Sequence, residues 1–158
     1  MTKTVRDIDR GFRSILRRVR ALVPGPHVRI GVQGTEASDE REFGESNLAI
    51  ASVHEFGSRD GIIPQRSYLR STADREVALF QRELAKGAKR AAIESDVKTE
   101  LGKVGELGVS KVKQTLDRSI GLKPLKQVTI DRRKKKSTKP LIDLGILKNS
   151  ITWKVRRW

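Results

Sequence analysis

His54 and Glu55 stand side by side, the opening pair of the zinc-protease pattern His-Glu-x-x-His. In that pattern two imidazoles one helical turn apart hold the metal, and the glutamate activates a water. Position 58, where the second imidazole belongs, is Ser58, and the only other histidine is His27. With two histidines and no cysteine, a transition-metal site would have to lean on carboxylates. The pair therefore reads as a histidine and a glutamate at a partly exposed helix end, without a metal. Gly31-Val-Gln-Gly34 precedes acidic residues rather than Gly-Lys-Ser/Thr, the wrong sign for a phosphate loop. A serine nucleophile would need a positioned base, and neither histidine has a recognisable partner. Carboxylates cluster only between residues 36 and 45, where no apolar surround would raise a pKa. The expectation is a non-enzymatic protein with no cofactor and no metal.

The charge balance points to partners instead. Over 158 residues the formal net charge is +15, with 34% charged and 36% apolar residues. Such a chain repels itself and suits a polyanion or an acidic protein surface. Aromatic residues are few, and Phe12, Phe80 and Trp153 fall on apolar faces, so base stacking is not indicated. No helix-turn-helix or zinc-finger pattern appears, and contact with phosphates would be made without base readout. The length fits a single domain, residues 1–158. No run approaches the roughly 18 apolar residues of a membrane span. The first twenty residues lack the apolar core of a secretory signal. The expectation is a soluble protein made in a cytoplasm, with no membrane partner.

The elements that must position these residues follow from periodicity. Val5, Ile8, Phe12, Ile15, Val19 and Leu22 share one face of a helix over 4–22, expected to pack through Phe12, Ile15 and Val19. Pro24, Gly25 and Pro26 end it, and Val28, Ile30 and Val32 alternate as a strand. Residues 35–46 read as an acidic loop. A short helix over 47–56 has Ser46 or Asn47 as its cap and Gly57 just beyond its end. A long helix over 72–95 should bury Val77, Phe80, Leu84, Ala88 and Ala91, and a second covers 97–119. In the latter, Gly102, Gly105 and Gly108 are either a source of weakness or a smooth strip where another backbone packs. Residues 121–140 read as a long exposed basic loop, with a β-hairpin arm around 127–130. Asp143 should cap a helix over 144–150, and Ile151, Trp153 and Val155 alternate in a final strand. The fold class expected is α+β: a small, mainly antiparallel sheet, long helices packed on one side, and a projecting basic arm.

Two segments carry a family resemblance. HEFGSRDGIIPQRSYLR, residues 54–70, follows a helix that ends in Glu-Phe-Gly, and continues through a loop and Ile-Pro to an aromatic-Leu-Arg run. PLIDLGILKNSI, residues 140–151, has the pattern Pro-Leu-x-Asp-x-Gly-x-Leu-x-x-Ser-Ile before a strand. Together, over about 30 of 158 residues, they resemble the virion-morphogenesis, neck and tail-completion proteins of tailed bacteriophages, Mu-like and lambdoid-like head-tail joining proteins included. Leu144 stands where those proteins usually carry a small hydroxyl residue. The resemblance implies a structural virion protein, a hexameric ring at the head-tail junction around the genomic DNA, contacting neck, head-completion or tail-tube proteins and assembled in the bacterial host cytoplasm. A tail terminator or minor tail protein is the alternative within that class, and a sequence-nonspecific nucleic-acid-binding protein the alternative outside it. In the 54–70 motif, Pro64 fixes an extended entry that places Tyr68 and Leu69 against the sheet and leaves Arg66 and Arg70 available outside. These three, Arg66, Tyr68 and Arg70, join Glu36, Asp39, Glu40 and Glu42 as expected interface residues. The acidic loop suits head-to-tail contact with a basic neighbour. The basic arm, Lys123, Lys126, Arg132, Arg133, Lys134, Lys135, Lys136 and Lys139 against a single Asp131, is expected to dock a neighbour or touch DNA.

Overall fold

The structure is a computed structural model that describes residues 12–20, 25–33, 46–93, 95–133, 136–142 and 145–157. Its frame is a two-stranded antiparallel sheet, β1 (His27–Val32) and β2 (Ile151–Arg156), which joins the two ends of the described chain. The register pairs Val28 with Val155, Ile30 with Trp153, and Val32 with Ile151. Alternation puts these six apolar residues on one face. A long helix, residues Val97–Arg118, lies across that face. The α+β class and the small antiparallel sheet are as expected from the sequence.

The long helix begins where Asp96 accepts the Thr99 amide at 3.1 Å, and ends at Ser119 in the left-handed conformation. Its glycines decide how it meets the sheet. A β-carbon on Gly105 would stand 2.6 Å from Cδ2 of Trp153, and one on Gly108 would stand 2.1 Å from Cδ1 of Ile30. On Gly102 it would meet the far edge of the same indole at 3.0 Å. The strip is therefore a slot for two sheet side chains, rather than for a second backbone.

Numbered in chain order, the helices are α1 (Phe12–Arg20), α2 (Asn47–Phe56), α3 (Tyr68–Arg75), α4 (Val77–Ile93), α5 (the long helix), α6 (Gln127–Arg132) and α7 (Ile146–Asn149). The α2 boundaries match the sequence reading: Ser46 Oγ accepts the Ala49 amide at 3.2 Å, and Gly57 closes the helix at φ +84°. The core gathers Ala51, Tyr68, Val112, Leu116, Leu122, Leu141, Leu147 and Ile151.

Several expectations are corrected. Ile15 and Val19 are about two-fifths exposed, because α1 lies on α4 with Leu16 turned inward and Arg18 bonded to the Ile93 carbonyl. The Phe12 side chain and residues 1–11 lie outside the described residues. The single helix over 72–95 is two helices, broken at Glu76. Val77, Leu84 and Ala88 are exposed, since α4 approaches α5 through its small residues Gly87 and Ala91. A β-carbon on Gly87 would sit 3.3 Å from Cβ of Glu100, too close for the larger face to turn in. The arm forms the short helix α6, with no hairpin over 127–130. The last helix starts at Ile146 with Gly145 at its cap; Asp143, the cap expected from the sequence, lies outside the described residues.

The α4–α5 joint is ionic. Glu100, 3% exposed, accepts from Arg90 Nη2 at 2.7 Å, Lys103 Nζ at 2.7 Å and Ser95 Oγ at 2.9 Å. The hydrogen bond from Arg90 first, then that from Lys103, holds its pKa down at about 2, against an ordinary value of 4.5. A depressed carboxylate stabilises the fold fully above its unfolded pKa and loses that contribution as pH falls through the folded value. Glu100→Gln should therefore be less stable than the parent above pH 4.5, with the gap narrowing steadily toward about pH 2. Urea midpoints across that range measure it; a gap independent of pH would remove the ionic account.

The glycine slot gives a second test. Gly105→Ala drives a methyl into the indole near its attachment and should cost about 1–3 kcal/mol. Gly108→Ala meets only the terminal methyl of Ile30, which can rotate away, and gains about 1 kcal/mol of helix propensity. It should stay within about 1 kcal/mol of the parent by urea denaturation despite the shorter distance.

Candidate functional site

The 54–70 segment is built around a buried carboxylate. Glu55, 6% exposed at the end of α2, accepts from Ser67 Oγ at 2.6 Å and from the Leu69 and Arg70 amides at 2.9 and 3.0 Å. Those amides open α3, where no side chain of the helix's own cap serves them. A negative charge at that end also suits the helix dipole. Glu55 thus starts α3 from a distance, which corrects its reading as a partly exposed residue, whereas His54 beside it is half-buried at the helix end as expected. It also explains why α3 begins at Tyr68, four residues before the expected start.

The interface residues named from the sequence divide. Tyr68 is fully buried, and its hydroxyl finds no hydrogen-bond partner among the described residues. Burial first, and then the charge of Glu55, raises its pKa far above the ordinary tyrosine value. Leu69 does approach the sheet, 3.8 Å from where a β-carbon on Gly31 would stand. Arg66 is not available outside. It is 6% exposed, donates to the carbonyls of Lys123 and Pro124 at 2.8 and 3.1 Å, and has its pKa lowered by burial and by Arg133. Its guanidinium thus ties residues 123–124 to the 54–70 segment. Arg70 is exposed, with its guanidinium carbon 5.9 Å from the centre of the Phe56 ring. Glu36, Asp39, Glu40 and Glu42 lie outside the described residues.

Between the two helices the loop is tied to itself. Asp60 accepts from Ser58 Oγ at 2.5 Å and from the Ile62 amide at 3.0 Å; Ser58 Oγ in turn accepts the Ile63 amide at 2.8 Å. The bond from Ser58, then that from Ile62, lowers the pKa of Asp60. This small network holds Ile62 in solvent at 75% exposure, and Phe56, the last residue of α2, is 65% exposed. A large apolar side chain on a tied loop, with another at the end of the helix that leads into it, offers adhesive surface rather than a core element.

The basic arm is stapled at both ends. Arg66 holds 123–124, and Arg133 Nη1 donates to the carbonyls of Ser137, Lys139 and Ile142 at 2.7–3.0 Å. Arg133 is thus occupied in structure; Lys123, Lys126, Arg132, Lys136 and Lys139 are exposed, with Lys136 bonded to the Asp131 carbonyl. Lys134 and Lys135 lie outside the described residues.

Behind the loop, α3 is fastened to α5 by hydroxyls. Thr72 donates to the Tyr68 carbonyl at 2.6 Å, and its oxygen lies 2.7 Å from that of Thr115, which accepts from Arg75 at 2.6 Å. Thr115 Oγ1 also lies 3.1 Å from the Lys111 carbonyl, so the two hydroxyl protons serve three contacts, to the Tyr68 carbonyl, to the Lys111 carbonyl and between the hydroxyls themselves. Neither the remote cap nor this chain of hydroxyls has a local sequence signal, because each joins residues from different helices.

Among the described residues no group of three or more His, Cys, Asp or Glu side chains could hold a metal ion. No described helix is long and apolar enough to cross a membrane. No protein-family model matches the chain, and neither the curated proteins nor the solved structures contain a similar one.

Removing the remote cap tests the architecture of the site. Glu55→Ala strands two amides and the Ser67 hydroxyl and should cost about 2–4 kcal/mol. Glu55→Gln should be milder, since one oxygen still accepts. Urea denaturation with matched slopes reads both; equal stability of the alanine variant and the parent would show that the cap is replaceable.

Proposed function

We propose that this chain is a structural protein of a tailed-phage virion that forms a ring at the head-tail junction and joins head to tail. The observation that carries the reading is where the two signature segments meet. Although residues 71–139 separate them, Tyr68 of the first packs with Leu141, Leu147 and Ile151 of the second in one core. Segments spaced so far apart in sequence thus build one core. The 57–63 loop offers rigid, exposed apolar side chains, as a repeated subunit contact requires. The exposed cations of the 123–139 arm offer a second, charged surface to an adjoining ring or to the DNA.

The ring needs a heterologous contact, in which one patch of each copy meets a different patch of the next, so that rotation closes. Ile62 and Phe56 are assigned to that contact. Ile62→Asp should leave the melting temperature unchanged, because the side chain is already in solvent, while abolishing ring formation in sedimentation and electron microscopy. Particles made with the variant should accumulate as separate filled heads and finished tails. Rings and joined particles formed normally by a folded variant would remove the loop from the contact; a parent protein dispensable for joining heads to tails would remove the function itself.

A further inference from the structure

The sheet face turned away from α5 carries a charge pattern that neither packing nor the loop contact uses. The register sets Arg29 opposite Lys154 and His27 opposite Arg156. Like charges placed directly opposite on antiparallel strands destabilise the pair. The chain has 19 acidic residues, yet none lies on this face, which consists of His27, Arg29, Gly31, Thr152, Lys154 and Arg156. One end of the face is partly closed: Gly31 and Thr152 are half-buried, and Leu69 approaches Gly31. At the other end Arg29, Lys154 and Arg156 are all exposed. Arg29 Nε donates to His27 Nε2 at 3.0 Å, which steadies the guanidinium and leaves its two terminal amino groups outside that bond.

We infer that this open end of the sheet binds the phosphate backbone of duplex nucleic acid. Cations two residues apart on a strand are separated by about 6.8 Å, and cross-strand neighbours by about 5 Å. That grouping is on the scale of successive phosphates along a backbone. Two of the three cations are arginines, whose planar fork matches phosphate oxygens. The amide of Gln33, which borders the face, is spent on the Arg29 and Thr152 carbonyls at 3.0 and 3.4 Å, the face has no aromatic side chain, and Trp153 is committed to the opposite face against α5, so binding is independent of sequence. A membrane surface would call for apolar side chains to insert beside the charges, and this face has none. The charge pattern follows from the strand register and holds whether or not the chain forms a ring.

The test is a salt series of anisotropy titrations with a short labelled duplex of random sequence. Arg29→Gln, Lys154→Gln and Arg156→Gln are combined in one variant. A control removes the same charge elsewhere through the exposed Arg59, Lys89 and Lys98, each to Gln. Removing one phosphate-binding cation should flatten the slope of log affinity against log salt by about 0.9. The slope of the sheet variant should therefore be shallower by roughly two to three, with affinity at least about ten-fold weaker at low salt, while the control keeps the parent slope. Removing the opposed like charges should leave its melting temperature at or above the parent's. If the triple variant does not fold, Arg156→Gln alone, at the strand end, should lower the slope by about one. Equal flattening in sheet and control variants, or an unchanged slope in the sheet variant, would overturn the assignment. So would binding of the parent to phosphatidylserine vesicles but not to the duplex.

Discussion

Every other element of this fold takes its position from the slot on α5. A two-stranded sheet has one apolar face to bury, and here a single helix buries it. Gly102 and Gly105 admit the indole of Trp153, and Gly108 admits Ile30. Three glycines inside a helix cost roughly 3 kcal/mol of propensity, which close packing of an indole and an isoleucine offsets. With its position fixed by the sheet, α5 presents Thr115 to Thr72 of α3, Glu100 to Arg90 of α4 and Asp117 to Lys148 of α7, at 2.7 Å in each case.

Much of the joinery is polar because the chain is short of apolar residues. Glu55, Glu100 and Arg66 are each more than nine-tenths buried, and each is held by specific partners. A buried charge without partners would be strongly destabilising. These groups therefore fix directions as well as contacts: Glu55 sets where α3 starts, Glu100 sets how α4 crosses α5, and Arg66 sets where the 123–139 segment leaves the body.

The surfaces left over are of three kinds: a tied loop with exposed apolar residues, a stapled basic segment, and a sheet face of opposed cations. None of them is needed to complete the core. That separation lets an assembly contact, a docking segment and a polyanion surface be altered independently, which is why the substitutions that probe them can leave the fold intact.

Elements with local signals are legible in the amino-acid order alone. Alternation at Val28, Ile30 and Val32 and at Ile151, Trp153 and Val155 defines both strands, and Ser46 and Gly57 define α2. The apolar repeat over 97–119 defines α5, and the excess of basic residues gives any polyionic partner a negative sign. What two distant segments do to each other is settled only by packing. Glu55 has the local surroundings of a surface residue because its three donors lie 12–15 residues away, at the start of another helix. Arg66 has those of a free cation because the carbonyls that hold it are 57 and 58 residues away. Periodicity turns the larger face of α4 inward, yet close approach at Gly87 favours small residues over large ones. The opposed cations exist only once a register does, since a pairing between residues 29 and 154 belongs to no local pattern. Periodicity reports which residues can share a face, and only the packed chain fixes what that face meets.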